Sequence, residues 1–224
     1  MAVVRFQYIF DPLCGWCYAS AAAVAELTKR WPNQLEMLPC GLFSGKGARD
    51  MTLDWATYAW NCDQRIASLT GLEFTEAYHR NVLMNSTLRF DSNAINRALT
   101  EVLSINPPLE LLLLKQLQVE RYLHGRDTSD PAVVAQIAAD FLSECGWETE
   151  AKQFSHRLER DEELAVRTAE RLSAANMLMN RHGVQGVPQL LALEGDKTHV
   201  IPSSALYQGT DRLITELQKL SGSH

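Results

Sequence analysis

The chain has 224 residues, 46% of them hydrophobic, and a net charge of −6. That length supports a large core in one or two domains. The acidic balance makes a nucleic-acid phosphate backbone a poor partner, and apolar runs such as residues 19–25 and 111–114 are far too short to span a bilayer.

Residues 3–10 read as the first strand. Val4, Phe6, Tyr8 and Phe10 fall on one face and Val3, Arg5, Gln7 and Ile9 on the other, one face apolar and one mixed, as in a covered sheet. The strand begins almost at Met1, with no basic segment, apolar stretch and small-residue cleavage site before it. The expectation is a protein that stays in the cytoplasm.

The stretch Asp11-Pro12-Leu13-Cys14-Gly15-Trp16-Cys17-Tyr18 follows, and an alanine-rich run follows that. Strand, tight turn and helix put Cys14 at a helix N-terminus and Cys17 one turn in. Unpaired amides and the positive end of the helix dipole favour negative charge there, and a thiolate is the reactive form of cysteine. Cys14 is therefore the expected attacking thiol and Cys17 the resolving one. Competing readings are half a zinc site, two inert core thiols or a static disulfide. Zinc would need a second close pair of Cys or His. Instead Cys40, Cys62 and Cys145 are single, as are all six histidines, so no metal is expected. Five cysteines leave at least one unpaired, and in a reducing compartment a close pair is more readily a working couple than a staple.

A helix over 18–30 ends at Trp31-Pro32-Asn33. Residues 35–42 form a second strand, parallel to the first by the crossover rule. The glycines at 41, 45 and 47 do not fit phosphate-loop spacing, so this segment is an exit loop. Residues 50–182 then read as almost wholly helical. Trp55, Tyr58, Ala59, Cys62, Ile66 and Leu69 recur at helical spacing up to Gly71. A helix is expected over 74–84, and another after Asp91-Ser92-Asn93 with Ser92 or Asn93 as cap. Pro107-Pro108 opens a helix over 109–123, closed by Gly125. Ser129-Asp130-Pro131 is a further start signal. Cys62 and Cys145 read as core thiols. Residues 148–181 form one long polar helical stretch, whose charge run reads as a solvated face. From Gly183 the character changes back: Gly183-Val184-Gln185-Gly186-Val187-Pro188-Gln189 leads into a hairpin of residues 190–193 and 198–201, then a last helix over 210–220.

Strand, CxxC-helix, strand, helical insert, Val-Pro-led hairpin and final helix together resemble the DsbA-like branch of the thioredoxin superfamily. Residues 10–18 resemble its signal-less, FrnE-like members. The resemblance implies an α/β thioredoxin fold, with residues 1–45 and 183–224 as the thioredoxin-like domain and 46–182 as an inserted helical domain. It implies a cis Pro188 beside the Cys14 sulfur and a Val187 backbone that pairs with an extended substrate, so that Gly15, Trp16, Val187 and Pro188 bind substrate. The implied activity is protein thiol–disulfide exchange. Protein or peptide thiols are the partners, glutathione or a thioredoxin-type protein supplies electrons, and no resident cofactor is required. Two departures matter. The dipeptide Gly15-Trp16 lacks the histidine of the stronger oxidants, so the couple is expected to be less oxidising than about −120 mV. Tyr8 also occupies the place where many members carry a buried carboxylate. Asp11 is the nearest acid, read chiefly as a turn residue. Rival readings are a glutathione-dependent isomerase or transferase of the same superfamily, and a redox-responsive binding module.

Overall fold

The computed structural model describes residues 4–221; Val3 of the expected first strand and the terminal His224 lie outside them. Strand β1 (Val4–Phe10) runs into a turn, then α1 (Gly15–Ala19), α2 (Ala21–Arg30) and β2 (Leu35–Pro39). The chain returns late with β5 (Gln189–Glu194), β6 (Lys197–Ile201) and α10 (Thr210–Ser221). These strands form one sheet in the order β2-β1-β5-β6. β1 pairs with β2 in parallel, and with β5 antiparallel from Val4 opposite Glu194 to Ile9 opposite Gln189. The apolar face of β1 behaves as its alternation requires: Phe6, Tyr8 and Phe10 are buried together with Val24 and Leu27 of α2 and Leu213 of α10. On the mixed face Arg5 is exposed, whereas Ile9 is buried with Leu38 and Leu191 beneath Ala175.

Between the two parts of the sheet come β3 (Arg49–Asp50), α3 (Leu53–Thr70), α4 (Glu76–Tyr78), β4 (Arg89–Phe90), α5 (Asn93–Ile105), α6 (Leu109–Tyr122), α7 (Pro131–Glu144), α8 (Ala151–Arg160) and α9 (Glu162–His182). Several details differ from the sequence expectation, among them Cys145, expected as a core thiol but exposed, and Cys62, only half-buried. β2 stops at Pro39 rather than at residue 42, and Gly41 turns the chain away at φ +65°. The presumed exit loop contains a tight turn at Gly45–Gly47 and then β3, which pairs with β4; two-residue strands leave no periodicity to read. The expected helix over 74–84 is one α-turn continued by the wider π-turn His79–Leu83. The long polar stretch is two helices. Asp161 separates them and caps α9 by accepting from the Leu164 N–H at 2.9 Å, while the Arg97 guanidinium donates to the carbonyls of Arg157 and Asp161 at the break.

The insert grips the turn that follows β1. Tyr122 donates its hydroxyl to the Leu13 carbonyl at 2.8 Å, and Gln118 donates to that of Pro12 at 3.4 Å. The Tyr122 ring stacks on Tyr18 with centroids 4.8 Å apart and meets Phe74 and Tyr78 edge-on at 5.0 Å each. Replacing Tyr122 by Phe keeps the ring contacts but leaves a buried carbonyl without its donor. This should lower the unfolding free energy by about 1–2 kcal/mol, read as a shifted urea midpoint with unchanged slope.

Candidate active site

Cys14 is the residue on which the first helix starts. Its backbone is extended (φ −81°, ψ 118°), its N–H donates to the Asp11 carbonyl, and its carbonyl accepts from the N–H groups of Cys17 and Tyr18. The next break in the helix comes at Ser20. There the Cys17 carbonyl takes hydrogen bonds from the Ser20 hydroxyl at 2.8 Å and the Tyr8 hydroxyl at 3.5 Å. A serine hydroxyl bonding back to a carbonyl competes with the helix ladder and bends it, which explains why the expected single helix is divided into α1 and α2.

The two sulfurs sit in different surroundings. Cys14 is 8% exposed and Cys17 2%. Both are free thiols. Burial, then a hydrogen bond toward Cys14 and the charge of that sulfur, pushes the Cys17 thiol well above its ordinary range. Desolvation penalises the charged form, and a hydrogen bond donated by the neutral form does the same. Cys17 therefore holds its proton. Across the chain, Cys14 Sγ lies 3.6 Å from the Val187 carbonyl oxygen, in hydrogen-bonding position, and the Val187–Pro188 peptide is cis.

A cleft of about 350 Å³ opens beside this pair. Trp16, Val187 and Pro188 line it, together with His182, Gln185 and Tyr207. The Trp16 and Tyr207 rings are 4.5 Å apart and tilted by 47°. Gly15 faces elsewhere, against α3: an added Cβ would collide with the Asp63 carboxylate and come within 2.9 Å of Ile66 Cδ1. Of the four residues assigned to substrate, three therefore line the cleft, while Gly15 allows the insert to approach the motif.

Asp11 is fully buried and accepts from three donors: the Leu13 N–H at 2.9 Å, the Phe43 N–H at 3.1 Å and the Ser92 hydroxyl at 3.0 Å. It caps the turn and also fastens the start of α5 to it. Ser92 sits at the cap position of α5 without capping it, because its hydroxyl is turned to Asp11. Tyr8, in the place of the missing carboxylate, is buried, and burial followed by the charge of Cys17 pushes its phenol well up. It acts as a hydrogen-bonding neutral group.

Phe43, Asp63, Ser92, Gln118, Tyr122 and Tyr207 were not legible as site residues. They lie far from the cysteines in sequence and carry no local motif; only the folded chain brings them to residues 11–17.

No protein-family model matches the sequence, and no curated protein matches it. Solved structures match over nearly the whole chain. The cytosolic disulfide reductase DsbM from Pseudomonas aeruginosa has a TM-score of 0.79 at 22% identity, over 97% of this chain and 100% of that one. The same protein with GSH gives 0.76 at 22%, over 96% and 99%. A candidate protein disulfide isomerase from Nitrosomonas europaea gives 0.75 at 19%, over 99% and 98%, and 2-hydroxychromene-2-carboxylate isomerase gives 0.55 at 18%, over 97% and 94%. At such identities the likeness defines the fold: this is a DsbA-like thioredoxin fold with a helical insertion.

Two measurements check the site. With both thiols reduced, iodoacetamide should label Cys14 at least about tenfold faster than Cys17 at pH 7.5, as mass spectrometry of the two sites would show. The second concerns Asp11, which burial pushes up to about 6 against the pull of its three donors. An acid whose pKa rises on folding favours the folded state while it holds its proton. Its contribution is full below about pH 4 and is lost as pH rises to about 6, a change of about 3 kcal/mol. Urea unfolding of wild type and Asp11→Asn from pH 4 to 8 should show this downward slope in the wild type and its loss in the variant.

Proposed function

We propose that the chain is a thiol–disulfide oxidoreductase working through Cys14 and Cys17. The observation that carries this reading is the asymmetry of the pair. The outer sulfur lies against the Val187 carbonyl at the edge of a cleft, and the inner one is buried and holds its proton. In the reducing direction the Cys14 thiolate attacks one sulfur of a substrate disulfide and expels the other as a thiolate, which takes up a proton. This leaves a mixed disulfide on Cys14. Cys17 then gives up its proton and attacks the Cys14 sulfur, releasing the second substrate thiol. The substrate gains two electrons, and the protein is left with a Cys14–Cys17 disulfide. A second dithiol, or two molecules of glutathione, reverses the sequence and restores the starting state.

Protein or peptide thiols and disulfides are the substrates in this reading. The Gly15-Trp16 dipeptide sets access and potential, and the main chain at Val187 and Pro188 aligns an extended segment in the cleft, which recognises shape more than sequence. Glutathione as electron partner is supported by the DsbM structure solved with GSH, and a cytoplasmic location by the description of DsbM as cytosolic. No helix among the described residues is long and apolar enough to cross a membrane. No resident cofactor enters the mechanism. An isomerase also stands on this fold, as 2-hydroxychromene-2-carboxylate isomerase does; the rival reading of this chain as a glutathione-dependent isomerase has no need of a second thiol.

The test is insulin reduction with dithiothreitol or glutathione as electron source. Wild type should turn over, Cys14→Ser should fall to background, and Cys17→Ala should accumulate mixed disulfides on Cys14 that release partners on reduction. A conjugating or isomerising activity with glutathione that survives the loss of Cys17, while insulin reduction is lost, would favour the isomerase class. No turnover with any dithiol substrate would favour a redox-responsive binder.

A further inference from the structure

Asp63 is a buried acid that the exchange mechanism leaves without a role. It lies on α3, within the insert, and is 6% exposed. Its Oδ2 accepts the Tyr78 hydroxyl at 3.1 Å. Its Oδ1 is directed at Gly15, so closely that a Cβ on that residue would have to push the carboxylate aside. A buried carboxyl group from the insert thus rests against the residue next to Cys14.

The surroundings bear on its charge from several sides. Tyr78 follows from α4, and α6 contributes Arg121 and Tyr122. Arg121 is 1% exposed, its three guanidinium nitrogens donate no hydrogen bond among the described residues, and Asp127 is 4.0 Å away. The Tyr122 hydroxyl, bonded to the carbonyl just before Cys14, lies within electrostatic reach of both Asp63 and the Cys14 sulfur. Burial pushes the Asp63 carboxyl up to about 7, with the Tyr78 hydrogen bond and the Arg121 charge pulling the other way. At pH 6 it is mostly neutral, and at pH 8 mostly charged.

We propose that Asp63 is the positioning residue that sets how readily the Cys14 sulfur becomes negative, and hence how fast it attacks. A charged Asp63 repels a second negative charge at the neighbouring sulfur, whereas a protonated one does not. Tyr8, against Cys17, stays a neutral hydrogen-bonding group, and Asp11 is a second buried acid, on the turn before Cys14; Asp63 approaches from the insert side. The assignment rests on Cys14 being the attacking thiol, but its test needs no turnover. A protein that fails to reduce insulin can still pass it, and one that reduces insulin can still fail it.

The experiment is the pH profile of iodoacetamide alkylation at Cys14, followed by mass spectrometry of that site, for reduced wild type, Asp63→Asn and Tyr78→Phe. Asp63→Asn and wild type should react at equal rates at pH 5.5. At pH 8 the variant should be about three- to tenfold faster, because only the wild type then carries the repelling charge. Tyr78→Phe removes a hydrogen bond that favours the charged carboxylate, so Asp63 keeps its proton to higher pH. Around pH 7.5 its Cys14 should react faster than wild type, with the divergence displaced upward. A variant-to-wild-type ratio that stays constant with pH, or a slower Asp63→Asn at pH 8, overturns the proposal. Should Asp63→Asn fail to fold, Tyr78→Phe decides alone: an upward displacement supports the assignment and a profile coincident with wild type overturns it.

Discussion

The feature on which the rest depends is the grip of the helical insert on the main chain of residues 11–15. Leu13 and Pro12 offer carbonyls that Tyr122 and Gln118 take. Asp11 gathers the Phe43 amide and the Ser92 hydroxyl. Gly15 is bare so that Asp63 and Ile66 can close on it. Each hydrogen bond contributes only about 0.5–1.5 kcal/mol net, but all converge on one short turn. The sheet supplies the strand that delivers Cys14 and the hairpin that meets it; the insert fixes the turn between strand and helix.

The same convergence shapes the chemistry. A thiol buried among apolar groups and neutral hydroxyls is costly to ionise, and Cys17 is in that position, with Tyr8 and Ser20 on its carbonyl and the Asp11 carboxyl near enough to oppose a second charge. Cys14 is one turn away, and its sulfur faces the carbonyl of Val187, a residue that lines the cleft. Two cysteines of identical intrinsic chemistry are thereby given an order. Burial decides it, and the main-chain geometry of the loop before β5 gives the outer sulfur a facing surface.

Much of this could be read from the residues, and the limits follow physical lines. Alternation in β1, the start signal at Asp130-Pro131, the stops at Gly71 and Gly125, and the cysteine pair are local, and the fold keeps them. The charge run around Asp161 read as one solvated helix face because no glycine or proline marks the break. The break is made instead by the Asp161 side chain capping α9 and by Arg97 reaching across from α5. β3 and β4 are too short to show a period. Asp63 belongs to the helix that carries the apolar stripe over residues 55–69, and a charged residue there bears no local mark of burial. Nothing within a few residues of Asp63, Tyr122 or Ser92 tells that each faces the turn at residues 11–15. That knowledge belongs to tertiary packing.

The contact at Gly15 bears on how such a site can diversify. In a Cys-x-x-Cys motif the two residues between the sulfurs offer a convenient dial for adjusting electron affinity. Here one notch of that dial is stiff, because any side chain at position 15 would have to push aside the Asp63 carboxylate and the Ile66 side chain of α3. Trp16, propped on Tyr207 at the rim of the cleft, is the free notch. Descendants or laboratory libraries built on this scaffold would explore redox character through position 16, or through the acids and phenols behind it, unless helix α3 were redesigned at the same time.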